Sequence, residues 1–161
     1  MDKTQRKMKS KIGPLYLVAS EKGLHGVFWK EQVIPLNEKS ENLKAVQFIE
    51  QAVGEIEEFL QGKRKTFQVH LAPEGTDFQK RVWHRLAQIP YGVTKSYKDI
   101  ACELDDPKAC RAVGTANGRN PLSIIVPCHR VISSDGTLGG YAGGLDIKTK
   151  LLDLEKKGLL P

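Results

Sequence analysis

Apolar residues alternate with others in "IGPLYLVAS" (12–20) and again in "LHGVFWKE" (24–31), and the two runs flank the turn-like "SEKG" (20–23). Period-two alternation on both sides of a turn predicts a β-hairpin. The period then changes. Ala45, Phe48, Ile49, Ala52, Val53, Ile56, Phe59 and Leu60 recur at steps of three and four, which predicts an amphipathic helix from about Glu38 to Gln61 with Gly62 as its stop. "KTFQVHLA" (65–72) reads as a further strand, and Pro73–Gly75 as a linker. Together these elements form a small α/β unit.

Beyond the linker the period is helical. Thr76 and Gln79 have capping-box spacing, and Phe78, Val82, Leu86 and Ile89 supply a buried face that Pro90, Tyr91 and Gly92 end. Ser96 and Asp99 repeat the cap and open a short helix through Leu104. Asp106 and Pro107 read as N-cap and first residue of the next, about Pro107 to Asn117. Ala109, Ala112, Val113 and Ala116 form its apolar face, with Arg111 nearly opposite and the small residues Gly114 and Thr115 nearby. Two short helices across a tight turn resemble a helix-turn-helix. "SIIV" (123–126) reads as a buried strand ending at Pro127, and about Leu145 to Lys157 as a last helix.

Composition narrows the class. The chain has 161 residues, 40% hydrophobic and 27% charged, which suits one or two small domains. The expected division is 1–74 and 75–161. No apolar run reaches the ~18–20 residues of a membrane helix. The first residues, "MDKTQRKMKSK", are polar and basic and predict no signal peptide. An odd count of three cysteines argues for a reducing, cytoplasmic setting. The net charge of +6 directs attention to anionic partners, nucleic acid first.

The chemistry concentrates at "PCHRVI" (127–132). A thiol attacks as thiolate, and a neighbouring base or cation favours that form. Cys128 is followed by His129 and Arg130. Successive residues of an extended chain face opposite sides, so a turn or a bridging water must join Cys128 to His129. A histidine base needs an orienting group, and Glu155 falls inside the apolar stripe of Ile147, Leu151 and Leu154. A buried carboxylate is costly without a partner, and His129 is the partner the pattern offers. Cys102 and Cys110, eight residues apart, read as packing residues. No CxxC or paired Cys/His spacing implies a metal. Residues 133–144, "SSDGTLGGYAGG", lack the phosphate-loop pattern and suit a pocket wall or lid.

"PCHRVI", preceded by "RAVGTANGRNP" (111–121) and followed by "GGYAGGLDIKTKLLDLE" (139–155), closely resembles the O6-alkylguanine-DNA alkyltransferase family. The resemblance covers roughly Thr76 to Leu160 and is weaker before that. It implies a small N-terminal α/β domain, with a short antiparallel sheet plus a helix. A mainly helical, winged-helix-like C-terminal domain would follow. It implies direct transfer of an alkyl group from O6-alkylguanine in double-stranded DNA to a cysteine that acts once, with no cofactor, by a monomer. Cooperation along DNA, and action on O4-alkylthymine, stay open. By the same resemblance Cys128 is the acceptor, His129 acts on it through a water, and Glu155 orients His129. Asn120 is the hinge asparagine. Tyr97 assists nucleotide rotation and protonates the departing guanine. Arg111 fills the gap left by the flipped base, with Ala112, Gly114, Thr115 and Arg119 beside it on DNA. Tyr141, Ala142, Gly143, Val131 and Pro127 would form the pocket. Ala142 stands where some members carry serine, and the N-terminal half lacks the zinc ligands of some relatives.

Two other readings fit parts of the pattern. A Cys–His–Glu hydrolase would use the same triad but needs an oxyanion hole. A plain DNA-binding module explains the charge but not a carboxylate on an apolar face.

Overall fold

The computed structural model describes residues 2–36 and 41–160. Strands β1 (Thr4–Met8), β2 (Leu15–Ser20) and β3 (Gly23–Phe28) form an antiparallel sheet in that order. The expected hairpin is β2–β3, closed at the Ser20–Gly23 pair. Gly23 has φ +140, and a Cβ there would come within 2.9 Å of the His70 carbonyl. Only glycine suits both conditions. β1 was not anticipated. Its buried residues include the polar Thr4 and Gln5, and Gln5 is accommodated because its amide bonds to Gln32 and Ile34.

Helix α1 (Leu43–Leu60) starts where Asn42 accepts from the Ala45 N–H, later than the Glu38 expected, and Glu38–Ser40 lie outside the described residues. Ala45, Ile49, Ala52, Ile56 and Phe59 are fully buried and face the sheet. Each large aliphatic or aromatic side chain buried there contributes roughly 1.5–3 kcal/mol. Glu55 shares this face, and its carboxylate accepts from the N–H groups of Gln68 and Val69. That capture corrects the strand expected at 65–72. With two N–H groups taken by a side chain, the segment meets β3 only at the single bridge Leu24–Leu71.

α2 (Asp77–Ala87) and α3 (Tyr97–Glu103) carry the anticipated capping boxes, Thr76 with Gln79 and Ser96 with Asp99. α4 (Cys110–Gly118) begins later than expected. Asp105 turns left-handed at φ +57, and Asp106–Ala109 form a turn, so Asp106 and Pro107 do not cap the helix. Ala112 of its expected apolar face is exposed, whereas Val113 and Ala116 are buried. β4 (Lys95–Ser96) pairs in parallel with β5 (Val131–Ile132), and α5 (Leu145–Lys157) has the expected bounds. One hydrophobic cluster runs through both halves. β3 reaches the second half directly, where Val27 N–H donates to the Pro121 carbonyl at 2.8 Å. No helix among the described residues is long and apolar enough to cross a membrane.

Candidate active site around Cys128

The segment before Cys128 is a tight turn, not the strand expected for 123–126. Asn120 sets its shape. The amide oxygen accepts from Leu122 N–H at 3.0 Å, and the amide nitrogen donates to the Val126 carbonyl at 2.8 Å. Val126 N–H closes the turn on the Leu122 carbonyl. Inside it Ile124 is fully buried at φ +75, a conformation that costs a β-branched residue of order 1–3 kcal/mol. Burial of its side chain and the Asn120 bonds offset that cost. The chain leaves the turn as one 3-10 turn, Cys128–Arg130, and enters β5. Pairing of β5 with β4 brings Tyr97, the next residue after β4, beside Cys128.

Behind Cys128 lies a buried charge cluster. His129 Nε2 is 2.6 Å from Glu155 Oε2. Arg130 donates Nε–H to Glu155 Oε1 at 2.8 Å and its terminal N–H to Oε2 at 2.9 Å. Gly92 N–H donates to the same carboxylate, and the other terminal nitrogen of Arg130 donates to the Ile89 carbonyl. Burial opposes ionisation of Glu155, but the bonds from His129 and Arg130 prevail and bring its pKa to about 2. Glu155 is therefore an acceptor at neutral pH, so His129 Nε2 carries the proton. Burial, with help from Arg130 and Lys148 against the pull of Glu155, lowers the His129 pKa. A neutral imidazole protonated at Nε2 leaves a lone pair on Nδ1, which is buried without a protein partner.

Burial pushes the Cys128 thiol up, against the Asn120 side chain and the Lys148 ammonium, which pull it down. Cys128 is thus protonated at rest, so attack requires a base to take its proton rather than a standing thiolate. This yields a test. At pH 7 iodoacetamide should modify exposed Cys102 well before buried Cys128, as read by peptide mapping over time. Cys128 labelled first would contradict it.

Cys128 lines a cavity of about 270 Å³. Its lining comes from Tyr97, from Gly114, Asn117 and Gly118 of α4, from Asn120 and Ser123 of the turn, and from Gly140, Tyr141 and Ala142 of the loop before α5. Burial, with the Cys128 sulfur close by, raises the pKa of both Tyr97 and Tyr141. Arg111, Ala112 and Thr115 are exposed on α4, and Arg119 follows its end.

Not every anticipated pocket residue reaches the cavity. Val131 is fully buried in β5, and Pro127 faces a different cleft with Tyr91 and Arg130. Gly143 packs against Trp29 instead. Sequence reasoning missed Lys148, whose ammonium donates to the carbonyls of Val131 and Gly140 at 2.7 and 3.2 Å and to that of Leu138. Lys148 follows Ile147 and precedes Leu151 by three, so it lies in the same stripe that exposed Glu155. Among the described residues no cluster of His, Cys, Asp or Glu could hold a metal ion.

Residues 77–157 match the family described as 6-O-methylguanine DNA methyltransferase, DNA binding domain, and residues 4–73 match its ribonuclease-like domain. The chain belongs to this methyltransferase family. Among its relatives, a methylated-DNA–protein-cysteine methyltransferase of Methanosarcina barkeri is 48% identical over 152 residues, 94% of this chain and 96% of that protein. One from Methanosarcina mazei is 51% identical, again over 94% and 96%. The crystal structure of Mycobacterium tuberculosis OGT in complex with DNA superimposes with a TM-score of 0.87 at 40% identity, covering 98% of this chain and 95% of that one. The methyltransferase family reverses O6-alkylguanine damage directly by alkyl transfer to a protein cysteine, and this chain shares that activity.

Proposed function

We propose that Cys128 is the acceptor and that residues 75–161 carry both the chemistry and the DNA contact, with residues 1–74 as support, in the cytoplasm. The observation that carries this reading is the buried contact between His129, next to the cysteine in the chain, and the Glu155 carboxylate. Ionised Glu155, its Oε2 2.6 Å from His129 Nε2, accepts the Nε2 proton in a hydrogen bond and leaves Nδ1 free to act as base.

The reaction balances without a cofactor. Nδ1 takes the thiol proton through a water, and Glu155 stabilises the imidazolium. Sulfur attacks the alkyl carbon as the carbon–O6 bond breaks, and the bonding pair stays with guanine. Tyr97, kept protonated by burial, gives guanine a proton and recovers one through solvent from His129. The product thioether has no leaving path, so each chain acts once.

The target base must leave the stack to reach the cavity. Arg111, exposed on α4, would fill the gap, as minor-groove proteins do with a wedge. Ala112, Thr115 and Arg119 approach phosphates, while Gly114, against Tyr97, keeps the helix thin at the cavity mouth.

Intact-mass analysis tests the assignment. A duplex with one O6-methylguanine should add one methyl, about 14 Da, to Cys128 and no more per chain. Undamaged duplex and Cys128→Ala should add none. No gain from protein that binds the lesion would overturn it. Repeated ester turnover would instead support the hydrolase reading. Arg111→Ala should slow transfer from duplex by about tenfold, yet transfer from a free modified base by less than about twofold, because only the duplex requires unstacking.

A further inference from the structure

Trp29 follows the last residue of β3 and so belongs to the first half of the chain, yet it packs on the acceptor site. Its indole N–H donates to Ser123 Oγ at 3.0 Å. Its ring meets Tyr141 edge-on, with centroids 5.8 Å apart and an interplanar angle of 67°. A Cβ at Gly143 would lie 2.7 Å from the indole, so the loop after Tyr141 rests directly on it. Ser123 and Tyr141 both line the acceptor cavity. Trp29 does not. It lines a neighbouring groove of about 360 Å³ that shares Gly118, Asn120, Ser123 and Ala142 with that cavity. The indole thus sits on the groove side of the residues that the two spaces share, in contact with Ser123 and Tyr141 of the cavity lining.

Tyr141 needs such a support. Glycines at 139, 140, 143 and 144 flank it, so its own backbone restrains it little. Its hydroxyl is buried without a protein partner and provides no anchor. Besides the packing of Tyr141 on the main core, the Trp29 edge contact supports the ring, and the Val27–Pro121 hydrogen bond ties the end of β3, next to Trp29, to the turn that carries Ser123.

We propose that Trp29 is a positioning residue for alkyl transfer: by holding Tyr141 and Ser123, the N-terminal half sets the geometry of the acceptor pocket and the size of alkyl group it admits. This rests on the reading of Cys128 as acceptor. The N-terminal half then shapes the reaction it was expected only to support.

The test is single-turnover transfer to Cys128 from duplexes carrying O6-methylguanine or O6-benzylguanine, over a range of protein concentration. For Trp29→Ala the saturating methyl rate should fall by about tenfold, the cost of a small misplacement at a reacting centre, with half-saturation within about twofold. The benzyl-to-methyl ratio should rise by about fivefold as Tyr141, no longer backed by the indole, yields to the larger group. Trp29→Phe keeps a ring against Tyr141 and should recover most of the methyl rate. An unchanged methyl rate, a change confined to half-saturation, or equal losses for both substrates would overturn the proposal. Should Trp29→Ala not fold, Ser123→Ala decides in its place. It removes only the hydroxyl that holds the indole, and an unchanged ratio there overturns the proposal. Wild-type protein that gains no alkyl group on Cys128 would fail the acceptor assignment instead, a separate result.

Discussion

Glu155→Gln will lose both alkyl transfer and acid-sensitive stability. The carboxylate is almost fully buried and holds His129, Arg130 and the Gly92 N–H together. Glutamine keeps the volume but removes the charge. The Nε2 tautomer of His129 is then no longer enforced, and the imidazolium formed during transfer loses its counter-charge. Transfer should fall by roughly a hundredfold to ten-thousandfold, the range seen when the acid of a catalytic triad is neutralised. Arg130 is left as a buried cation without its partner, at a cost of about 3–5 kcal/mol. For a chain of this size that is a melting temperature lower by roughly 6–20 °C. The pH dependence follows from the sign of the shift. The folded pKa of about 2 lies below the ordinary 4.5, so the stabilisation is complete above pH 4.5 and is lost as pH falls toward 2. His129, also lowered, adds to this. Its unfolded imidazole takes a proton below about pH 6.5 that the folded one refuses. Urea titrations should show wild-type stability declining below pH 6.5 and again below 4.5, with the second decline reduced in Glu155→Gln. A variant that transfers methyl at the wild-type rate would remove Glu155 from the mechanism.

Lys148→Met should separate activity from stability in the opposite way. The Lys148 ammonium gathers the Val131 carbonyl beside the acceptor turn and the Leu138 and Gly140 carbonyls of the pocket loop. It is also a cation near Cys128 as negative charge develops on sulfur. Burying an ammonium is itself expensive, and methionine fills similar space without that cost. The net change in stability should stay within about 2 kcal/mol. The loop, however, loses its common anchor, and a displacement of about 1 Å at a reacting centre can cost a hundredfold in rate. Single-turnover transfer down by about that factor, with a near-normal melting temperature, is the expected pair of results. Full activity would show that the loop holds without the lysine.

Where the chain followed local rules, it could be read directly. The two capping boxes, the hairpin and the bounds of α5 are written in residue spacing over a few turns. Glu155 could be found because a carboxylate on an apolar stripe breaks a rule, and broken rules mark sites. Lys148 broke the same rule on the same stripe and was overlooked. The misreadings share one cause, a side chain that intercepts the backbone. Asn120 turns an apolar run with strand composition into a tight loop around Ile124, and Glu55 takes the N–H groups that 65–72 would have offered a sheet. Gln5 hid β1 by being polar and buried. Trp29 could not be linked to Tyr141 from sequence at all, because 112 positions separate them and only the packed fold joins them.

Glu155 and Lys148 both lie on α5, later in the chain than the cysteine they serve. Synthesis delivers Cys128 first. Until the final helix docks, His129 has no carboxylate to set its tautomer and the pocket loop has no ammonium to gather it. A nascent or partly unfolded chain therefore carries a thiol of ordinary character, and alkyl-accepting competence requires α5 to be docked. For a protein whose cysteine can be spent only once, completion of the fold becomes the licence to react.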